Sequence, residues 1–157
     1  MTSCVSLIRL QDIPEIEPLC HRAFDQMNYT ASRGYRYDSQ HITDLLTYGV
    51  SSHNHILTKC VRDTRILGVM VVGLTDFSFY SVGQRQAFEI VWHGDPLLPP
   101  IQQLLVQKAL LKDMIARLSV DIFSLTLDEK HLELTKLLDK FGFIGSTRSY
   151  VRRSHHG

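Results

Sequence analysis

The chain has 157 residues, 44% hydrophobic and 21% charged, with a formal net charge of +1. That length fits one domain, 1–157, with enough core to fold without staples. Near-neutral charge argues against a protein whose main partner is a polyphosphate, although charge can be concentrated locally, and no basic stripe marks a nucleic-acid face.

Val5 to Leu10 reads as a first strand. Asp12 with Glu15 resembles a capping box, and Ile13, Ile16, Leu19, Cys20, Ala23, Phe24 and Met27 mark one face of the helix that follows. Tyr29 to Tyr37, with three tyrosines and two arginines around Gly34, reads as a loop. A shorter helix follows Asp38, burying Ile42, Leu45 and Leu46 and ending near Gly49. His55 to Val61 and Ile66 to Thr75 form a hairpin across Arg62 to Arg65. The second of these strands is apolar at nearly every position, which predicts burial on both faces. Asp76 to Gln86 reads as a loop carrying Phe77, Phe79 and Tyr80.

The stretch from Ala87 to Leu118 organises the rest. Ala87, Glu89, Val91 and His93 alternate with Phe88, Ile90 and Trp92, so the second set is expected in the core. Gly94, Asp95, Pro96, Pro99 and Pro100 end this strand, and Pro100 suits the first turn of a helix. Ile101, Leu104, Leu111, Ile115 and Leu118 give that helix its expected sheet-facing side. A strand running into a helix N-terminus makes a natural anion site. Val120 to Leu127 is another strand, Asp128 starts a helix through Phe141, and Gly142 supplies a left-handed stop. Phe143 to Arg153 closes the chain as a strand. The order β-α-α-β-β-β-α-β-α-β predicts a mixed α/β sheet, helices on both faces, with an antiparallel first half.

Cys4, Cys20 and Cys60 are odd in number and lack CxxC spacing, which predicts free thiols in a reducing compartment. His53 and His55 have no third ligand at a supporting spacing, so no metal site is expected. The first ten residues lack the pattern of a signal peptide, and the longest apolar run, Ile66 to Leu74, is nine residues. The expected location is cytoplasmic, with no membrane span.

HLELTKLLDKFGFIGSTRSYV, from His131 to Val151, resembles the fourth helix and last strands of the GNAT acetyltransferase superfamily. Leu137, Lys140, Gly142 and Phe143 match its N-x-x-A-x-x-L-Y-x-K-x-G-F pattern, and EIVWHGDP followed by a long helix shares its layout. The likeness spans essentially the whole chain. It implies an N-acyltransferase that moves an acetyl group from acetyl-CoA to an amine.

Two departures bear on that chemistry. The family's Q/R-x-x-G-x-G/A loop exposes backbone N–H groups to the CoA pyrophosphate. Here Leu97 to Gln103 has no glycine, and each proline removes a donor. Leu138 stands where many members place a tyrosine as general acid, and a leucine has no proton to give.

By the resemblance, Glu89 would take the amine proton, and backbone groups near Val91 and Trp92 would hold the pantetheine. Gln102 and Gln103 would lie near a phosphate, and Arg33, Tyr35 and Tyr37 would touch the acceptor. Glu89 also reads as a carboxylate on a partly open face or at a bulge, paired with an arginine. His93, the second catalytic candidate, shares its predicted face about 13 Å away along the strand, so a substrate would lie between the two. The alternative function is an inactive GNAT-fold protein used for assembly with protein partners. Small internal virion proteins of short-tailed bacteriophages are similar in size and arrangement, which would place the chain in a virion interior.

Overall fold

The computed structural model describes residues 3–77, 82–127 and 132–145. Among the described residues five strands form one sheet, in the order β1-β2-β3-β4-β5. They are β1 (Cys4–Leu7), β2 (His55–Arg62), β3 (Arg65–Phe77), β4 (Val82–Gly94) and β5 (Ile122–Ser124). The first four pair antiparallel and β4 pairs β5 in parallel. This is the predicted mixed sheet with an antiparallel first half.

Helices α1 (Ile13–Gln26), α2 (Tyr29–Arg33) and α3 (Ser39–Ser51) precede β2. Helix α4 (Pro100–Arg117) joins β4 to β5, and α5 (Leu132–Lys140) follows. β3 alternates between two cores. Ile66, Val69 and Val71 pack with Ile16, Leu19 and Leu46, whereas Leu67, Met70 and Val72 pack with Leu110, Met114 and Leu137. The sheet thus carries helices on both faces, and β3 is buried on both, as its unbroken apolar run implies.

Local chemistry sets the boundaries. The Asp38 carboxylate accepts the His41 N–H at 3.0 Å and caps α3. Pro100 opens α4, and Gly142, at φ +81°, follows α5 in the left-handed region. Asp12 and Glu15 do not form the predicted box. Asp12 turns back to the Arg9 N–H (2.7 Å) and pairs with Lys59 (2.5 Å), while Glu15 accepts the Ile66 N–H (2.8 Å). A half-buried lysine and a strand N–H outcompete the local cap.

Other expectations shift. Tyr29 to Arg33 is a short helix, stopped by Gly34 at φ +72°. β3 continues to Phe77 and β4 begins at Val82, so strand replaces most of the predicted loop; Phe79 and Tyr80 lie outside the described residues. Asp128 and the closing strand beyond Gly145 also lie outside them. Helix α4 buries Val106, Leu110, Leu111 and Met114, and Ile101 is 64% exposed. Its apolar residues surround the helix, and close approach to the sheet selects the face. A Cβ on Gly68 would sit 2.5 Å from Val106, and one on Gly94 would meet the Gln103 backbone at 3.0 Å. These two paired glycines let the first turns of α4 lie directly on β3 and β4.

Candidate active site

The β3–β4 register shifts between Val71 and Val72: Val71 faces Val91, and Val72 faces Glu89. Ile90 is the extra residue of a β-bulge, and the alternation reverses there. Ala87, Glu89 and Trp92 share the α4 side, opposite Leu74, Val72 and Met70, while Phe88, Val91 and His93 turn to the α1 side. The predicted grouping of Phe88, Ile90 and Trp92 is therefore corrected. Trp92 is core, at 4% exposure, and Ile90 packs half-buried against the α1-side core. Phe88 is 43% exposed and lies over Gly73, where a Cβ would come within 2.4 Å of its ring.

The bulge also parts two strands. β4 and β5 pair at Gln86–Ile122, Ala87–Phe123 and Phe88–Ser124 and no further. The predicted Val120–Leu127 strand is cut to three residues, because β4 bends away at Ile90. Across the opening, a Glu89 carboxylate oxygen accepts the Thr126 N–H at 3.4 Å. Burial pushes the Glu89 carboxyl up from 4.5 to about 7, against the opposing effect of the Thr126 hydrogen bond. The arginine pairing considered for Glu89 is absent among the described residues.

A cavity of about 250 Å³ fills the opening, lined by Glu89, Ile90, Val91, Trp92, His93, Gln107 and Thr126, and walled by α1, α2 and α3. Glu89 and His93 belong to opposite faces of β4, yet both line this cavity because it passes between the strands. A second cavity of about 290 Å³ adjoins it at the start of α4, sharing Met27, His93, Gln107 and Leu134. Together they make a groove from Glu89 to Pro100.

Gln107, which the sequence reading missed, holds the groove together. Its Nε2 donates to the Trp92 carbonyl (3.3 Å), and its own carbonyl accepts the Trp92 indole N–H (3.0 Å). The Trp92 carbonyl expected to meet a pantetheine is thus already covered by a side chain.

The loop expected to meet a pyrophosphate is likewise closed on itself. Asp95, 1% exposed, pairs with Arg22 (3.0 Å) and Arg65 (3.1 Å) and accepts the Leu97 N–H (3.1 Å). Burial alone would raise the Asp95 carboxyl, but the bonds from Arg22, Leu97 and Arg65 hold it below the usual carboxylate value. The Leu98 N–H bonds the Asp95 carbonyl, and the Gln102 and Gln103 N–H groups bond Pro99. Gln103 Nε2 donates to the Leu98 carbonyl at 2.7 Å. Ile101 alone at this turn keeps an N–H without a partner among the described residues. The groove fits a thioester arm, whereas the turn does not fit a pyrophosphate. Acetyl-CoA is expected to bind no tighter than about 10⁻⁴ M, roughly 5.5 kcal/mol, by calorimetry at moderate salt. Micromolar affinity would contradict this reading of the turn.

Asp95→Ala removes the anchor of this turn. Arg22 and Arg65 can then reach water, so the expected loss of stability is about 1–3 kcal/mol, read by urea unfolding. Because the folded carboxyl lies below 3.8, Asp95 contributes stability above that pH and loses it as pH falls through its folded value. An unchanged midpoint at pH 7 would show that the clamp is idle.

The predicted acceptor residues separate. Tyr37 lines the cavity with its ring stacked on His21 at 4.1 Å. Its hydroxyl donates to Glu17 at 2.9 Å, and burial with that bond raises its pKa strongly. Tyr35 is exposed and packs edge-on against Tyr29 instead of lining the cavity. The Arg33 side chain lies outside the described residues. Leu138 is buried in the α4-side core, as expected. Cys4, Cys20 and Cys60 are free thiols. Among the described residues no three His, Cys, Asp or Glu converge to hold a metal, and no helix is long and apolar enough to cross a membrane.

No protein-family profile matches the chain, and no curated protein does. Solved structures match throughout its length. A transcriptional regulator from Bacillus halodurans is 15% identical, with a TM-score of 0.73 over 98% of this chain and all of that one. A GNAT family acetyltransferase from Staphylococcus aureus is 14% identical, with a TM-score of 0.66 over 98% and 100%. An aminoglycoside acetyltransferase from an uncultured soil sample, solved with sisomicin, is 11% identical, with a TM-score of 0.66 over 97% of each chain. At these identities the likeness concerns architecture, and the architecture of this chain is the GNAT acetyltransferase fold.

Proposed function

We propose that the protein is an N-acyltransferase that works by direct transfer from a thioester to an amine, with Glu89 as general base. The observation that supports this reading is a half-buried carboxylate, raised to about 7, in the opening between β4 and β5. A base poised near neutrality suits removal of a proton from an amine as it attacks. The amine nitrogen bonds to the thioester carbonyl carbon, its proton passes to a Glu89 oxygen, and the C–S bond breaks. A thiolate is a far weaker base than an alkoxide, so it leaves without a strong acid and takes a proton from solvent. That chemistry tolerates Leu138. The Glu89–Thr126 bond fixes the base while leaving its second oxygen for the amine.

The closed turn at Leu97 to Gln103 makes the donor's acyl arm, rather than its pyrophosphate, the larger source of affinity. The same turn also favours a second reading, an inactive GNAT-fold protein serving assembly with protein partners, as in a virion. Fold alone decides neither. Amine-dependent release of thiol from acetyl-CoA at millimolar concentration separates the two. Release above the enzyme-free rate supports transfer, and none across a panel of primary amines supports the assembly role.

A further inference from the structure

The acceptor side of the cavity has its own chemistry, and the inference from it rests on the acyltransferase reading. Phe24, Tyr29, Tyr37, Ile42, Leu45 and Leu46, from α1 to α3, wall it with aromatic and aliphatic groups. The rings are interlocked, Phe24 lying 5.7 Å from Tyr29 and 5.3 Å from Tyr37. Tyr37 gives its hydroxyl to Glu17 and one ring face to His21, so what it adds to the lining is apolar ring. Glu89 is a half-buried carboxylate of the lining, while the exposed rim carries Arg36 and Asp38, which cancel in charge.

We propose that this pocket takes a small, apolar primary amine with one positive charge, its hydrocarbon or aromatic body against the α1–α3 wall and its nitrogen at Glu89. Size and charge both lead there. A volume of about 250 Å³ holds about eight water-sized groups, too few for a trisaccharide or a folded peptide end. The one carboxylate set inside the opening, Glu89, balances one ammonium. A second ammonium drawn inside would lose its hydration with no counter-charge, at a cost the apolar wall does not return. The ring faces favour the remaining cation and bury its apolar body. Polyamines and aminoglycosides, which need several acidic partners, are disfavoured by the same count.

The test is calorimetric titration of the full chain with 2-phenylethylamine and with spermidine, at fixed ionic strength and without thioester. Phenylethylamine is expected to bind at least tenfold tighter than spermidine. Leu45→Trp, which fills the wall, is expected to weaken it more than tenfold, and Phe24→Ala several-fold, with the fold checked by circular dichroism. If Leu45→Trp does not fold, Phe24→Ala decides. Equal or tighter binding of spermidine, no binding of phenylethylamine, or affinity indifferent to the folded variants would overturn the proposal. Binding without turnover would sink the acyltransferase reading and leave this pocket assignment standing. Turnover of spermidine without binding of phenylethylamine would do the reverse.

Discussion

Trp92→Ala is expected to lower the unfolding free energy by about 3–5 kcal/mol, as large-to-small aromatic changes in a core do. The ring is almost wholly buried among Met70, Val106, Leu110 and Leu134, and its N–H is bonded to the Gln107 carbonyl. Removing it opens a void beside the β4–β5 gap and takes the second donor from a carbonyl that still accepts within α4. Gln107 is half-buried, so water can enter, which keeps the cost within the usual range. The groove should loosen as well, because the Gln107 bond to the Trp92 carbonyl loses its reciprocal partner. Urea unfolding reads the stability directly, and an unchanged midpoint would place the ring outside the core.

Glu89→Gln is expected to lower the rate of acyl transfer by about 10²–10⁴, the usual cost of losing a general base. The amide keeps the shape and can still accept the Thr126 N–H. Stability should move the other way. Burial favours the neutral carboxyl, so Glu89 adds no penalty below its ordinary value of 4.5, and the penalty grows as pH rises to about 7. A shift of that size corresponds to about 3 kcal/mol, an upper figure for the stability that Glu89→Gln regains at pH 8. A variant that is slower yet more stable at high pH is the signature of a group buried for its chemistry. Equal stability at pH 5 and pH 8 in both proteins would mean that Glu89 is better solvated than its position indicates.

Much of the fold was legible because its signals are local. The apolar run of β3 announces burial on two faces, Asp38 caps its own helix, and Gly142 stops the last one. What escaped depends on partners distant in sequence. The bulge at Ile90 has no local mark, since E-I-V-W alternates acceptably until β3 imposes its register. Helix α4 carries apolar residues on every side, so periodicity alone did not select the face that Gly68 and Gly94 admit. Asp95 looks like an ordinary turn residue, and its arginines lie 73 and 30 residues away.

The site was legible in the same uneven way. Glu89 stood out because a carboxylate in an apolar central strand needs a reason. The missing glycines of the Leu97–Gln103 turn announced a poor phosphate cradle, and its N–H groups prove to be spent internally. Gln107 gave no signal, being one of several polar residues on a long helix. Phe24 and Met27 read as core positions of α1, yet they line a cavity, because the β4–β5 opening leaves that part of the interior unfilled.

The pH profile of amine-dependent thiol release, measured side by side for the unaltered chain and Glu89→Gln, tests the proposed chemistry most directly. With Glu89 as base, the rate under saturating amine and thioester should rise through a midpoint near 7 and level off. In Glu89→Gln the rising limb should vanish and the plateau fall by at least about a hundredfold. The same rate and the same limb in both proteins would contradict the assignment of Glu89 as base.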